Sequence, residues 1–400
     1  MTNNKDKKVL NVPNLRFPEF TDKWEAGKLE EYILLVSGQD LSSEQYTDKE
    51  DVYPYITGAS SLNSEGIILN RWTHTPTQIV KRGDILLVCK GSGVGQLTVL
   101  SNVDKAHIAR QIMGIRAKNT ESQLFIYHYL SRLMTELKKR STGIIPGIDR
   151  KSILSLHISI PSLQEQQKVA ELLSLIEQRI ITQNKIIEKY ESLIQAICDT
   201  LIESGQPKVE LSFNDFGEPY SGLSGKSAED FGKGWPYITY MNVYQNQIID
   251  ITDVGLVKIN ETEQQSVVRY GDILFTLSSE TPDEVGMGAV YLGDIYPLYL
   301  NSFCFGVHIT DESKIYPPFL AYYISTKSFR KAVFPLAQGS TRFNLQKSDF
   351  MKKKFLFPTV EEQNKIYSVL KAYSDKLSIE KNIANLLCEQ KSYLLRQLFI

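Results

Sequence analysis

One motif occurs twice in this chain: residues 161–169 are PSLQEQQKV, and residues 358–366, which begin 197 positions later, are PTVEEQNKI. Other matches lie upstream in the same order: 79–87 (IVKRGDILL) with 267–275 (VVRYGDILF), 54–57 with 236–239, and 93–95 with 286–288. The offset drifts by a few residues from match to match, as in a duplicated module whose loops have changed length. A period of about 190 residues is too long for a solenoid, so the repeat predicts two tandem domains.

The composition is that of a globular protein. Of the 400 residues, 42% are hydrophobic and 23% are charged, which excludes a mostly disordered chain. The formal net charge of -1 neither requires nor excludes a nucleic-acid partner, because one face can be basic while the rest compensates. Apolar runs such as Ile85–Cys89 are far shorter than the ~20 residues that a membrane span needs.

The cysteines and the N-terminal residues indicate the compartment. The four cysteines, Cys89, Cys198, Cys304 and Cys388, form no CxxC pair. This spacing argues against a disulfide framework or a cysteine zinc site and suits a reducing cytoplasm. Residues 1–8 carry charge but lack the apolar core of a signal peptide, so we expect a cytoplasmic protein with no membrane association.

Each copy changes character once along its length. The first part, about 10–160 and 206–357, has short β-rich runs such as 84–88, 96–100, 272–277 and 289–292, broken by Gly, Pro, Asn and Ser. Helical patterns intervene at 124–137 and 318–333. These features predict a mixed α/β module. The second part, 162–203 and 359–400, contains no proline and is predicted to be one long helix in each copy.

Both predicted long helices have a heptad pattern. In the first, Ser162 and Glu165 are placed to form a capping box, and apolar residues then recur at steps of four and three, with Gln183 in the one gap. They are Val169, Leu173, Ile176, Ile180, Ile187, Tyr190, Ile194, Ile197 and Leu201. The second has Ile366, Leu370, Tyr373 and Leu377, then slips, as in a stutter, and resumes at Ile383, Leu387, Leu394 and Leu398.

A long amphipathic helix needs a partner. The matched lengths and positions favour antiparallel pairing of the two helices, roughly 60 Å long, with the globular modules at opposite ends. The alternative is that each helix forms a coiled coil with another chain. Pairing or docking is expected through Val169, Leu173, Ile176, Ile180, Ile187, Leu370, Leu377, Leu387 and Leu394.

With these residues in view, the chain resembles the specificity subunit of Type I restriction–modification systems. The resemblance is carried by 15–20 (LRFPEF) with Trp24, by 82–86 and 270–274, by 161–166, by Pro358 with 361–363, and by 394–399. It spans essentially the whole chain. Each short motif is weak alone, whereas the ordered duplicate set is specific.

The resemblance implies a fold and a domain plan. It implies a mixed α+β fold in which two similar target-recognition domains, 1–160 and 205–357, are separated by two long antiparallel coiled-coil helices, 161–204 and 358–400, with an internal pseudo-two-fold repeat. Each domain would bind one half of a split, asymmetric site on double-stranded DNA. The helices would set the spacer between the half-sites and dock two methyltransferase (modification) subunits.

The resemblance also implies that the chain has no catalytic residues and binds no cofactor. The modification subunits would carry S-adenosylmethionine and methylate adenine. Restriction/motor subunits in the full complex would use ATP and Mg²⁺ and cleave DNA.

Catalytic motifs were sought in the residues themselves. An adenine methyltransferase has Asn or Asp before Pro-Pro-Phe/Tyr, whereas Tyr316 holds that place here, and prolines at a helix start explain the string. Residues 222–227 have only two residues between Gly and GKS, which is too few for a P-loop. Pro282-Asp283 with Glu312-Ser313-Lys314 matches the Pro-Asp…Glu-x-Lys motif of one class of nucleases. The first copy of the repeat has no counterpart of this motif. The five histidines lack metal-ligand spacing.

DNA contacts are expected from Lys/Arg for phosphates and from polar side chains for base edges. A glycine-containing basic loop ends each module, at 138–143 and 338–344, although a solvated surface is the ordinary explanation of such a cluster. The glycine-rich 91–95 segment is predicted to be a hairpin, with phosphate approach as the alternative. Candidate contacts in the first copy are Lys90, Ser92, Arg110, Gln111, Lys139, Arg140, Thr142 and Arg150. Those in the second are Tyr240, Asn242, Ser278, Ser302, Gln338, Ser340, Thr341, Arg342, Asn344 and Lys347.

Two classes of function remain from the residues alone. One is a DNA-binding scaffold within a methyltransferase complex. The other is a DNA-independent coiled-coil adaptor with two ligand-binding modules. The duplicated basic loops favour the first class.

Overall fold

The computed structural model describes residues 11–63, 65–91, 93–118, 120–140, 147–203 and 208–400, without the side chains of 136–140. These residues form two compact units. The first comprises Met1–Lys185 and Lys381–Ile400, and the second comprises Ile186–Glu380. Each unit therefore combines one globular module with one half of each long helix. The domain limits derived from the sequence stay predictions.

The elements of the first unit follow the predicted order. The strands are β1 (Glu25–Lys28), β2 (Ile33–Ser37), β3 (Tyr53–Ile56), β4 (Leu62–Asn63), β5 (Gly66–Ile67), β6 (Trp72–Thr73), β7 (Ile79–Lys81), β8 (Ile85–Val88), β9 (Leu97–Val99), β10 (Lys105–Ile108), β11 (Ile112–Ala117) and β12 (His157–Ile160). The short helices are α1 (Leu29–Tyr32), α2 (Gln123–Arg140) and α3 (Arg150–Leu154). The long helix α4 (Leu163–Glu203) begins here and continues into the second unit.

The second unit repeats the order of the main strands, although several short elements differ. Its strands are β13 (Lys208–Ser212), β14 (Gly217–Ser221), β15 (Phe231–Ile238), β16 (Val254–Val257), β17 (Ile273–Thr276), β18 (Ser278–Ser279), β19 (Gly288–Val290), β20 (Tyr299–Leu300), β21 (Cys304–Ile309), β22 (Ala337–Gln338), β23 (Phe343–Leu345) and β24 (Lys354–Pro358). Its helices are α5 (Tyr240–Gln245), α6 (Pro317–Tyr323), α7 (Lys327–Val333) and α8 (Lys347–Lys352), and α9 (Val360–Gln397) ends in the first unit.

The sheets show the duplication directly. The antiparallel sheet β2-β11-β8-β9 in the first unit has the same order as β14-β21-β17-β19 in the second. Each unit also has one parallel pair, β3 with β10 and β15 with β20. The strand that precedes each long helix pairs with the first strand of its module, β12 with β1 and β24 with β13. The prediction of a mixed helix-and-sheet fold, repeated twice and with two long helices, is confirmed.

One predicted helix is divided. The pattern at 318–333 forms two helices, α6 and α7, because Thr326 ends one and begins the other. Its hydroxyl donates to the Tyr323 carbonyl at 2.7 Å and accepts from the Phe329 amide at 3.2 Å. A side chain that hydrogen-bonds backbone in both directions competes with helix continuation.

A buried glutamine anchors the start of each long helix to its module. The side-chain oxygen of Gln166 accepts from the backbone amide of Ser122 at 2.9 Å, and its side-chain nitrogen donates to the Pro161 carbonyl at 3.0 Å. Gln363 accepts from the Tyr316 amide at 2.8 Å and donates to the Pro358 carbonyl, also at 2.8 Å. Each glutamine side chain thus supplies hydrogen-bond partners to backbone groups of two chain segments.

The expected capping box forms only in part. The Ser162 hydroxyl accepts from the Glu165 amide at 3.4 Å, but the Glu165 carboxylate turns away to bind Arg16 through two contacts of 2.7 Å. The Trp24 indole donates to the same carboxylate at 3.2 Å. A paired, buried carboxylate with a bidentate arginine is a stronger interaction than a cap, which explains the change.

The long helices belong to the cores of both units. In the first unit, Leu173 packs in one cluster with Phe125, Leu395 and Phe399. In the second, Ile194, Cys198, Ile366 and Leu370 share a cluster with a group of phenylalanines that includes Phe213 and Phe350.

The residues predicted to pair the helices lie on inward faces to different degrees. Val169, Leu173, Ile176 and Leu370 are buried, whereas Ile180, Ile187, Leu377, Leu387 and Leu394 are half-buried. In the first unit, Glu177 forms an ion pair with Lys391. Leu172, Ile176 and Gln183 of α4 line one cavity with Ile383, Leu387 and Leu394 of α9. Within this unit the two helix halves therefore face each other, as antiparallel pairing requires.

A buried aspartate holds the turn before the central strand in each unit. Asp84 is 2% exposed and accepts from the Lys81 amide at 2.7 Å and from Arg116 through two 2.6 Å contacts. Asp272 is 1% exposed and accepts from the Arg269 amide at 2.8 Å, from Tyr220 at 2.8 Å and from His308 at 2.9 Å. Strand register aligns Arg116 with His308, so the two corresponding buried carboxyl groups are hydrogen-bonded by different side chains.

We predict that Arg116→Met destabilises the first unit by about 2 kcal/mol, because the buried carboxyl group of Asp84 then loses both hydrogen bonds from the guanidinium. Denaturant unfolding in a Trp235→Phe background measures this, since Trp24 and Trp72 are then the remaining tryptophans and both lie in the first unit. Arg82→Met is the matched control: its ion pair with Asp104 is exposed, so its loss costs about 1 kcal/mol or less. Equal effects of the two substitutions would contradict the prediction.

His128 gives the first unit a pH dependence. Its ring is 0% exposed, Nε2 lies 3.1 Å from Ser174 Oγ, and Glu177 and Lys391 lie nearby. Burial lowers the pKa of His128 to about 4. Between pH 6.5 and pH 4 the unfolded chain therefore binds a proton that the folded unit does not bind, so the stability falls as the pH falls.

We expect this group to remove about 3 kcal/mol of unfolding free energy between pH 7 and pH 4. His128→Gln should lose that part of the pH dependence, because glutamine does not titrate. Denaturant unfolding of both proteins in the Trp235→Phe background, referenced to pH 8, isolates the contribution. Identical pH slopes for both proteins would contradict the assignment.

Candidate nucleic-acid interface

Separate loops of the first unit meet in one polar cleft. Residues Thr57 to Ser60 follow β3, Lys90 follows β8, Gly93 lies in the next turn and Gln111 precedes β11; together they line a cavity of about 330 Å³. Lys90 and Gln111 are exposed. A cation beside an amide, a threonine and a serine offers the donors and acceptors used on phosphates and base edges.

The cleft requires close approach of its loops. A Cβ atom at Gly93 would lie 2.3 Å from the Cβ of Ala59, and one at Gly58 would lie 2.7 Å from Oε1 of Gln111. Residues 91 and 93–95 lie between the antiparallel strands β8 and β9; the Val94 amide bonds to the Gly91 carbonyl, and the Gly95 amide bonds to the carbonyl of Val88 at the end of β8. The hairpin interpretation of this segment is therefore supported over a phosphate-binding loop.

Two arginines that were predicted to contact DNA differ in how much of the guanidinium is used within the protein. Arg110 is exposed and forms an ion pair with Asp40 at 2.7 Å, so it stands at the protein surface beside the cleft. Arg150 donates to the Leu35 carbonyl at 2.8 Å and to Ser37 at 3.2 Å. Its guanidinium thus holds α3 against β2, a role within the fold.

Part of the predicted basic loop falls outside the described chain. Ser92 and Thr142 are not among the described residues, and the side chains of Lys139 and Arg140 are likewise outside the description. The chain resumes beside the cleft: the Ile148 amide donates to the Cys89 carbonyl at 2.8 Å, and a Cβ at Gly147 would lie 3.7 Å from Lys90.

The second unit brings the corresponding segments together. Register places Ser278 at the position of Lys90 and Phe303 at that of Gln111, and 239–242 correspond to 57–60. The Leu345 amide donates to the Leu277 carbonyl at 2.8 Å, as Ile148 does to Cys89. Thus β23, which carries Asn344, lies next to β18, which carries Ser278.

The second site is aromatic where the first is polar. The Tyr240 hydroxyl donates to the Ser278 carbonyl at 2.8 Å, and its ring stacks on Tyr244 with centroids 5.9 Å apart. Arg342 donates to the Ser278 hydroxyl at 3.2 Å, and its guanidinium carbon lies 5.7 Å from the centroid of Phe303. Arg342 is exposed, which leaves other donors of its guanidinium facing solvent.

The adjoining loop is held by charge and hydrogen bonds. Hydrogen bonds from Tyr244, Thr281 and Ser279 lower the pKa of Glu284, which is thereby kept ionised beside the tyrosines. Arg330 donates to the carbonyls of Asp283, Val285 and Gly286, each at 2.7 Å. Burial lowers the pKa of Arg330, yet these carbonyls satisfy it and fix the 283–286 segment.

Asn242 is a correction to the expected contacts. It is 0% exposed, its amide nitrogen donates to the carbonyls of Asp250 and Asp253, and its oxygen accepts from the Asp250 amide. All its hydrogen-bonding groups are used inside the fold, so it shapes the loop and cannot contact a base. Ser278 is likewise buried, and it positions Tyr240 and Arg342.

The remaining predicted residues of the second unit surround this site. Among the exposed residues, Ser302 lies in the turn before β21, Ser340 and Thr341 lie between β22 and β23, and Gln338 and Asn344 lie on those two strands. Lys347 donates to Ser221 at 3.1 Å. Sequence reasoning missed Asp40, Tyr244 and Glu284. The only available signal was position: Tyr244 lies one helical turn beyond Tyr240, which places both rings on one face.

The short motifs that were considered as possible catalytic sites have structural roles. Tyr316 precedes α6, and Pro317 and Pro318 occupy its first turn, where both are buried. Lys226 is 5% exposed and ion-paired with Glu263, so it is not available to a phosphate. In the described part of the chain, no group of three or more His, Cys, Asp or Glu side chains could hold a metal ion. Among the same residues, no helix is long and apolar enough to cross a membrane.

The chain is similar to known specificity subunits over nearly its whole length. It is 24% identical over 401 residues to the Type I restriction enzyme MjaVIII specificity subunit of Methanocaldococcus jannaschii, covering 94% of this chain and 91% of that protein. The crystal structure of the S subunit of a Type I restriction–modification system from M. genitalium superposes with a TM-score of 0.57 at 18% identity, covering 97% and 99% of the two chains.

A second solved chain shares the fold. It comes from work on complex assembly and conformational transition of the type I R-M system, and it matches with a TM-score of 0.57 at 15% identity over 93% of this chain and 96% of that one. The family model for the Type I restriction modification DNA specificity domain matches residues 21–192 and again residues 221–389. Because these two matches cover most of the sequence, one in each copy of the repeat, the protein belongs to this family of Type I DNA specificity subunits, and its role lies in DNA sequence specificity.

Proposed function

We propose that this chain is the DNA-recognition subunit of a Type I restriction–modification complex and that each unit binds one half of a bipartite, asymmetric site. The proposal rests on one observation that holds in both units. Segments that are far apart in sequence form one exposed site in each unit, at corresponding positions of the same fold.

The two sites differ in chemistry, which supports two different half-sites. The first presents Lys90, Gln111 and hydroxyl groups in a polar cleft. The second presents Phe303, two stacked tyrosines and Arg342. Amide and cationic donors suit base edges and phosphates, whereas aromatic groups suit apolar base contacts. The same frame thus carries two different recognition surfaces.

The long helices support the second part of the proposal, namely that they set the spacer and dock two methyltransferase subunits, and through them the restriction/motor subunits. Within the first unit, the paired helix halves form a largely apolar cavity of about 860 Å³, and Leu175, Leu386 and Tyr393 are each more than half exposed. Exposed apolar groups concentrated on a helical surface are typical of a protein interface.

Catalysis is assigned to the partners. We propose that the chain itself performs no methyl transfer, ATP hydrolysis or cleavage, and that S-adenosylmethionine, ATP and Mg²⁺ bind on the modification and restriction subunits in the cytoplasm. The buried, internally bonded state of Lys226 and of the Pro317–Pro318 turn supports this division.

Exchanging residues 206–357 for the module of another specificity subunit should change one half of the methylated motif and leave the other half unchanged. The reason is that each site is built from residues of its own unit. Methylome sequencing of a host that carries the chimera and its modification subunit gives the result. The reciprocal exchange, with 1–160 replaced, is the control and should change the opposite half. A change in both halves, or in neither, would overturn independent recognition.

Inserting one heptad after Lys185 and one after Glu380 should lengthen the spacer between half-sites by about three base pairs. Seven helical residues add about 10 Å, and one base pair occupies about 3.4 Å. The methylated motif again supplies the measurement. A seven-residue insertion after Glu261, in an exposed turn of the second unit, is the control and should leave the spacer as it was. An unchanged spacer in the double-insertion protein would show that the helices do not set it.

A further inference from the structure

Phe303 is an exposed aromatic ring on a fixed backbone. Its side chain is 55% exposed. Its amide donates to the Asn301 side chain at 2.9 Å, and its carbonyl accepts from the Leu277 amide at 2.9 Å. The next residue, Cys304, donates back to the Asn301 carbonyl at 3.0 Å. The ring is therefore presented by a turn whose conformation is fixed on both sides, which lowers the entropy cost of binding.

A cation stands over this ring. The guanidinium carbon of Arg342 lies 5.7 Å from the ring centroid, within the range of a cation–π contact. Arg342 is itself tied to the hydroxyl of Ser278 at 3.2 Å, and the Ser278 carbonyl is tied to Tyr240. Phe303 and Arg342 form one pair whose geometry is fixed by these contacts, and the pair offers an apolar face next to an exposed guanidinium.

A single exposed apolar side chain is ordinary on a protein surface. Phe303 is distinguished by its position, because it occupies the place that Gln111 holds in the polar cleft of the first unit. The two copies of the fold thus present an amide at one corresponding site and a hydrocarbon ring at the other.

We infer that the second unit recognises the 5-methyl group of a thymine through Phe303, with Arg342 on the neighbouring guanine or phosphate; this rests on the proposed function. Among the base edges in the major groove, the thymine methyl is the apolar group, and phenylalanine is a side chain that contacts it. Arginine supplies the bidentate or phosphate contact that orients such a pair. Recognition in this half-site therefore depends on a methyl group rather than on hydrogen bonds alone.

The test uses the chain in complex with its modification subunits and the recognition sequence found by methylome sequencing. Duplexes are made with deoxyuridine in place of each thymine, one at a time, and binding is measured by competition. One thymine in the half-site of the second unit should show about fourfold weaker binding as uracil, the effect of exposing one methyl-sized group. This measurement uses the unchanged protein, so it does not depend on a variant that folds.

Two substitutions then test whether Phe303 causes the preference for thymine over uracil. Phe303→Gln, which installs the residue of the first unit, should bind the thymine and uracil duplexes equally. Tyr270→Gln, which removes another exposed ring of the same unit at the opposite end of β17, is the matched control and should leave the thymine preference unchanged. A second half-site without any T·A pair, or equal binding of thymine and uracil at every position by the unchanged protein, overturns the inference while leaving specific binding intact.

Two other results are also decisive. If Phe303→Gln weakens both duplexes equally and the thymine preference persists, the ring acts as a wedge between base steps, and the inference is wrong. If the complex shows no sequence-specific binding at all, the proposed function fails, and the inference fails with it.

Discussion

The buried side-chain amide at the start of each long helix is the constraint on which the arrangement of each unit depends. Gln166 and Gln363 are 1% and 0% exposed, and each bonds both the strand end before its helix and the segment that leads into a module helix. An unpaired amide at such depth would cost about 1–3 kcal/mol. The helix start and the module are therefore fixed to each other, and the binding loops of that module are fixed with them.

The two units share one backbone frame, meaning their common strands and helix starts, but they carry different side chains at corresponding positions. The buried aspartates Asp84 and Asp272 perform the same task, holding the turn before the central strand, yet one is hydrogen-bonded by Arg116 and the other by His308 and Tyr220. The loops diverge further, from a polar cleft to a pair formed by an aromatic ring and a cation. A frame that is stabilised by buried backbone and carboxylate bonds leaves the loop side chains free to vary, because few of them contribute to the core.

The sequence was sufficient for the elements and for the family, since both depend on local patterns and on the repeat. Alternating runs predicted the central strands, and heptads with no proline predicted α4 and α9. It was insufficient wherever a side chain selects a partner far along the chain. Glu165 bonds Arg16 across 149 residues rather than its own helix start, and Asn242 is buried although its neighbours Met241 and Tyr240 reach the surface. No periodicity encodes such choices, because they depend on which loops the folded sheet brings together.

This separation of frame and loops has a consequence for specificity. If the two sites bind bases as proposed, a hydrogen-bonding residue such as Gln111 would form its bonds only with the correct base and leave desolvated groups unpaired with a wrong one, which gives strong discrimination. A ring such as Phe303 gains only contact area and discriminates by about the effect of one methyl group. An aromatic site therefore needs a second contact to reach comparable selectivity. Under the same proposal, Arg342, held over the ring and bonded to Ser278, would supply that contact, and the two residues would act together in recognition.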